Sequence, residues 1–166
     1  MLNIFEMEYN NKNVRRQDRL LAESRARELL ENAEYGVMSM ADENGIPYGI
    51  PVNFVWDGGN SIFVHCAPEG KKLRILQTND NVSFCVVGKV RLLPDKFTTE
   101  YESIVLKGKA RTGLSEVTRM NALKLLLRKL SPNDYERGVG YAEKSFARTE
   151  IIRLDIDEWS GKAKKV

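Results

Sequence analysis

Apolar positions early in the chain recur at helical spacing. Ala22, Ala26, Leu29, Leu30 and Ala33 share one face, with Glu23, Arg27, Glu28 and Glu31 outside it. This predicts a helix that begins near Asp18 and stops at Gly36. Residues 1–17 are polar and aperiodic, so an N-terminal arm is expected there, loose or strapped over a partner, ahead of one domain over 18–166. The period then changes to two. Tyr35 to Ala41 and Ile46 to Trp56 read as strands joined by Asp42-Glu43-Asn44-Gly45, where Asn-Gly supplies the positive-φ positions of a tight turn. Pro47 and Pro51 mark the second of these as an edge or bulged strand. Asp57-Gly58-Gly59-Asn60 turns the chain into a third strand, Ser61 to Cys66, which predicts an antiparallel meander.

A short helix is expected over Lys71 to Gln77, followed by long strands over Val82 to Leu93 and Ser103 to Gly113. The clearest helix covers 116–130, with Met120, Leu123, Leu127 and Leu130 on one stripe. Residues 131–148 have no decisive period. Thr149 to Ile156 reads as a closing strand, and the tail Gly161-Lys162-Ala163-Lys164-Lys165-Val166 as exposed. About six antiparallel strands with peripheral α-helices predict a mainly β protein, a small barrel rather than a βαβ stack.

Composition narrows the function more than the fold. With 166 residues the chain can bury a core without disulfide or metal staples. Its 26 basic and 23 acidic residues leave a net charge of +3, and no basic stripe interleaved with aromatics exists, which argues against a nucleic-acid partner. No apolar run reaches membrane-spanning length. Glu6 and Glu8 stand where a signal peptide carries positive charge, so a cytoplasmic protein is expected. One histidine and two cysteines, Cys66 and Cys85, do not make a zinc site, and no metal is expected. The cysteines read as small buried hydrophobes. No hydrolytic nucleophile motif is present.

The best candidate for ligand chemistry is Pro68-Glu69-Gly70-Lys71-Lys72, between a strand and a helix. Unpaired amides and the helix dipole favour an anion at such a start, and two lysines strengthen the seat for a phosphate. The alternative is a solvated lysine pair. His65 lies at the end of the preceding strand, on the face of Phe63 and opposite Ile62 and Val64, and is either structural or functional. In Pro51-Val52-Asn53-Phe54, a polar residue set in an apolar strand offers an edge along which an aromatic ring can lie, or else Asn53 only faces outward. Ser103 is a possible phosphate donor or a plain strand-end residue. Lys124, Arg128 and Lys129 read as a solvated helix face.

Several of these stretches resemble one family. They are Arg15-Arg16-Gln17-Asp18-Arg19; Tyr35 to Met40 with Gly45 to Tyr48 and Pro51 to Phe54; and, most specifically, Ile62-Phe63-Val64-His65-Cys66-Ala67-Pro68-Glu69-Gly70-Lys71-Lys72. Tyr101 to Val105 and Trp159 to Ala163 complete the pattern. The chain resembles the nitroimidazole-resistance (Nim) flavoproteins of the pyridoxamine 5′-phosphate oxidase-like group over about residues 14–166. The resemblance implies an FMN-binding split β-barrel that works as a homodimer, with FMN between the subunits. It implies phosphate contacts from Lys72, Lys71 and Ser103. Ser39, Val52, Asn53 and Phe54 would lie along the flavin, His65 beside it as the catalytic histidine, and Trp159 near the interface. The implied activity is FMN-dependent reduction of a nitro-aromatic or related small acceptor, with electrons from NAD(P)H or another reductant. The alternatives are a flavin- or haem-binding carrier or sensor without turnover, and a pyridoxamine 5′-phosphate oxidase.

Overall fold

A computed structural model describes residues 7–166; the first six residues of the expected arm lie outside the description. The described chain is mainly β, with eight strands and four helices. In chain order these are β1 (Glu8–Tyr9), α1 (Glu23–Asn32), β2 (Tyr35–Ala41), β3 (Pro47–Asn53), β4 (Val55–Trp56), β5 (Ser61–Cys66), α2 (Lys71–Thr78), β6 (Asn81–Leu93), β7 (Thr98–Arg111), α3 (Glu116–Leu130), α4 (Tyr135–Ser145) and β8 (Glu150–Lys164). The strands form one sheet in the order β3-β2-β6-β7-β8-β5-β4, with β1 added in parallel to β8. Its ladders apart from β1–β8 are antiparallel, and it curls without closing, as a split barrel does.

The expected meander is broken at Phe54. β3 pairs with β2 at one end of the sheet, whereas β4 pairs with β5 at the other. The continuous apolar run from 46 to 56 conceals this, because the chain leaves one sheet edge and joins the other without a turn sequence. Phe54 is fully buried at the crossing, edge-to-face with Phe84 at 5.0 Å between ring centroids. Pro47 and Pro51 do lie on an edge strand. β3 comes near β5 without pairing to it, so its second edge has no ladder partner among the described residues.

The core lies inside the curled sheet. Met38, Met40, Ile62, Val64, Phe84, Val86, Ile104, Leu106, Ile152 and Leu154 all point into it, and α1 and α2 add Leu30 and Leu76. A second, smaller cluster lies on the outer face of β5 and β8, where α3 and α4 cover Val55, Phe63 and Ile151. β5 is therefore buried on both faces until His65.

Three expectations need correction. The closing strand does not stop at Ile156 but runs to Lys164, so most of the supposed tail is paired with β7. The cause is a bulge: Lys107 pairs with Glu158 while Gly108 pairs with Ile156. Asp157 is the extra residue, so inward positions change from 152, 154 and 156 to 159 and 161. The alternation fails at that point although the strand continues. The first helix begins at Glu23, after a 3-10 turn over Gln17–Arg19, and ends before Gly36, which belongs to β2. Residues 7–17 are not loose. Met7 is buried, Tyr9 Oη donates to the Leu21 carbonyl at 2.6 Å, and the Asn10 amide donates to the Trp159 carbonyl at 2.8 Å.

Candidate functional site

His65 is the last residue but one of β5, just where the cover of α3 and α4 stops. Its partner across the ladder is Ile151, and its neighbour Phe63 packs under α3. A loop over 67–70 then leads into α2. Gly70, the residue before the helix, has φ 143°, a backbone region that favours glycine. Gly70 has open space around it, so glycine is required there by conformation and not by crowding. No side chain caps the first amides of α2, which lie beside Lys71 and Lys72.

A cavity of about 490 Å³ opens here, lined by His65, Cys66, Lys72, Tyr141, Arg148 and Thr149 among others. A narrower hollow of about 250 Å³ continues from it between α3 and α4, lined by Leu123, Leu126, Leu127, Leu130 and Gly138. His65, Tyr141, Ser145 and Thr149 border both. The nearby acid, Glu150, is paired with Arg119 at 3.5 Å. Lys72 and Arg148 have no ion-pair partner among the described residues, so the corner carries uncompensated positive charge.

The His65 ring is open to solvent on one side. Burial of the rest, with a smaller contribution from the Lys72 charge, lowers its pKa below the ordinary imidazole value. Burial raises the Cys66 thiol, partly offset by Lys72, so Cys66 is not a thiolate nucleophile. Cys85 is likewise raised by burial. Neither cysteine is fully buried: Cys85 lies on the outer sheet face, opposite Val37 and Val105.

The predicted residues fall into three groups. His65 and Lys72 meet in one cavity. Lys71 points the other way, its Nζ 4.5 Å from the centre of the Tyr48 ring on β3, which ties the start of α2 to the free strand edge. Asn53 Nδ2 donates to the Glu34 carbonyl at 2.9 Å, and Val52 packs partly into the core. Phe54 and Trp159 are core residues of this chain; Trp159 is 1% exposed, against Tyr9 at 4.7 Å. Ser39 and Ser103 lie on the outer sheet face, opposite Ser83 and Val87 respectively, and line neither cavity beside His65.

Sequence reasoning missed Arg148 and Tyr141, because residues 131–148 carry no strong period. It also misread Lys129. The Lys129 Nζ has no hydrogen-bond partner and lies 4.0 Å from the centre of the Phe54 ring, and burial lowers its pKa to about 8. Only the packing of α3 makes that residue differ from a solvated lysine. A larger cavity of about 620 Å³ lies elsewhere, around Arg25, Arg91, Glu100 and Glu102. Its arginines and acids are already paired, Arg25 with Glu102 at 2.9 Å and Arg91 with Glu100 at 2.6 Å, and no predicted residue lines it.

The profile of the pyridoxamine 5′-phosphate oxidase family matches residues 22–163. The chain belongs to that family. No curated protein matches it in sequence. Among solved structures, a candidate 5-nitroimidazole antibiotic resistance protein from Bacteroides thetaiotaomicron superposes with a TM-score of 0.70 at 20% identity, over 89% of this chain and 90% of that one. The flavocytochrome Anf3 from Azotobacter vinelandii gives 0.76 at 20% identity, over 97% and 77%. An FAD and heme binding protein from Mycobacterium smegmatis gives 0.74 at 19% identity, over 90% and 75%. Membership of the oxidase-like family, with a nitroimidazole-resistance protein among the similar folds, agrees with the resemblance read from the sequence. Among the described residues, no helix is long and apolar enough to cross a membrane, and no cluster of His, Cys, Asp and Glu is suited to a metal.

Proposed function

We propose that this member of the oxidase-like family binds FMN at the open seam of its barrel and works as an FMN-dependent oxidoreductase toward nitro-aromatic or related small acceptors. The observation that carries the reading is the meeting of His65 and Lys72 in one cavity, with Lys71 tied to the unpaired edge of β3. The residues present fit the group. Lys72 and the first amides of α2 match a phosphate in charge and donors, and Lys71 would join them only by leaving the Tyr48 ring. The free N–H and C=O groups of β3 near Val52 and Asn53 match the polar rim of a flavin ring. Two solved relatives of similar fold are named for flavin or haem content, which is in keeping with this reading.

When bound, the flavin supplies the redox chemistry, with electrons drawn from NAD(P)H or another reductant. The chain's own residues supply position and protons. His65 stands within the same corner and relays a proton to an oxygen of the reduced acceptor. A homodimer completes the reading. Val37, Cys85, Val87 and Val105 form an apolar strip on the outer sheet face, and Val87 is 58% exposed. Ser39 and Ser103 share that face, so a dimer formed through it would place them at the subunit interface.

The test is an absorption spectrum of protein purified without added cofactor, with the heat-released flavin identified by chromatography. FMN, followed by NAD(P)H-dependent loss of a nitro-aromatic, is expected. Bound flavin without turnover would favour a carrier or sensor; a haem band without flavin would overturn the proposal.

A further inference from the structure

The hollow between α3 and α4 is not needed for FMN in the reading above. Its walls are Leu123, Leu126, Leu127 and Leu130, and it opens at His65 onto the basic corner. At about 250 Å³ it is larger than the roughly 150 Å³ cavity that takes benzene. It therefore suits one substituted ring with a short side arm and is too small for a tetrapyrrole. Gly138 sets how closely α4 approaches α3 at its wall: a Cβ there would come 2.5 Å from a Leu127 methyl.

The mouth is charged and held in place. Arg148 sits on the turn from α4 into β8, exposed and without an ion-pair partner among the described residues. Arg119 fixes that turn. Its guanidinium donates to the Phe146 carbonyl at 3.0 Å and to the Thr149 carbonyl, and it stacks on the Phe146 ring at 4.3 Å. The result is an apolar slot with an unpaired cation at its entrance, carried on a turn that Arg119 holds, and an imidazole between them.

We infer that this slot is the acceptor subsite and that it selects a small aromatic acid, with the ring between α3 and α4 and the carboxylate on Arg148. The inference rests on the proposed function and deepens it by naming the acceptor class. It is tested by binding without turnover, so the two fail separately. Calorimetric titration with 4-(4-nitrophenyl)butyrate and its methyl ester would be compared for wild type, Arg148→Gln, Arg148→Lys and Leu130→Glu, with FMN content read in the same samples.

Wild type is expected to prefer the acid by about tenfold or more, as for one charge-assisted hydrogen bond. Arg148→Gln is expected to remove that preference while leaving ester affinity unchanged, and Arg148→Lys to restore part of it. Leu130→Glu, at a partly exposed wall position, is expected to weaken both ligands. Equal wild-type affinity for acid and ester, an unchanged acid affinity in Arg148→Gln, or no binding of either ligand would overturn the inference. Acid binding by protein that takes up no FMN would sink the flavin reading and the acceptor role with it, while the selectivity of the slot for an aromatic acid would stand.

Discussion

The inside of the barrel and the layer outside β5 are both built from leucine, isoleucine, phenylalanine and alanine, yet they end differently. Inside, Ile62, Val64, Phe84, Ile104, Leu106, Ile152 and Leu154 have no exposed surface, and α1 and α2 add further apolar side chains. Outside, Val55, Phe63, Leu123, Leu126 and Ile151 form a smaller cluster that is incompletely filled and gives way to His65, Lys72 and Arg148. The filled region fixes the strands. The unfilled one leaves room for a ligand against groups that the strands hold still.

A pair of glycines breaks this comparison most sharply. At Gly108, beside the β7–β8 bulge, a Cβ would lie 1.9 Å from the Asp155 carbonyl oxygen, and backbone cannot move aside cheaply. Gly108→Ala should cost about 3 kcal/mol or more, or prevent folding. Gly140, on α4 over the outer layer, has nothing within 4 Å of an added Cβ. Gly140→Ala should stabilise by about 0.5–1 kcal/mol, because alanine suits a helix better. Chemical denaturation of both variants measures the contrast; similar losses at the two sites would refute it.

The next effect concerns activity. His65→Ala should leave the melting temperature and FMN content nearly unchanged while nitro-acceptor reduction falls about tenfold or more. Since the pKa of His65 lies below its ordinary value of about 6.5, the protonated form gains population only as pH falls through and below that range. Wild-type reduction should accordingly speed up as pH falls below about 6.5, and the alanine variant should lose that rise. A parallel loss of stability would make His65 structural.

A smaller effect is expected at Lys129, which covers Phe54 from the outer layer. Its lowered pKa means that the folded state resists protonation, so stability rises with pH between about 8 and the unfolded value near 10.5. Lys129→Met should stabilise at pH 7 by about 1 kcal/mol, well short of the full pKa displacement because the side chain is partly solvated and a cation–π contact is lost. The gain should vanish by about pH 10.5. Denaturation curves at three pH values check both sign and trend.

What could be read from sequence follows the same division. The strands, α3 and the Gly70–Lys72 start of α2 were legible because alternation, helical period and adjacency are local. The length of β8 was not, since the bulge at Asp157 shifts the alternation. Nor was the parting of β3 from β4 at Phe54, because strand partners are chosen across the whole sheet. His65 and Lys72 could be linked since eight consecutive positions contain both. Arg148 reaches them only through the docking of α4, and Lys129 becomes unusual only through what α3 lies upon.

The account rests most on the phosphate seat at the start of α2. Fluorescence titration of the flavin-free protein with FMN and with riboflavin, for wild type and Lys72→Ala, tests it directly. FMN affinity should fall in the variant by about 1.5–3 kcal/mol, while riboflavin, which lacks the phosphate, should bind both proteins alike. Equal losses for the two flavins, or none for either, would contradict it.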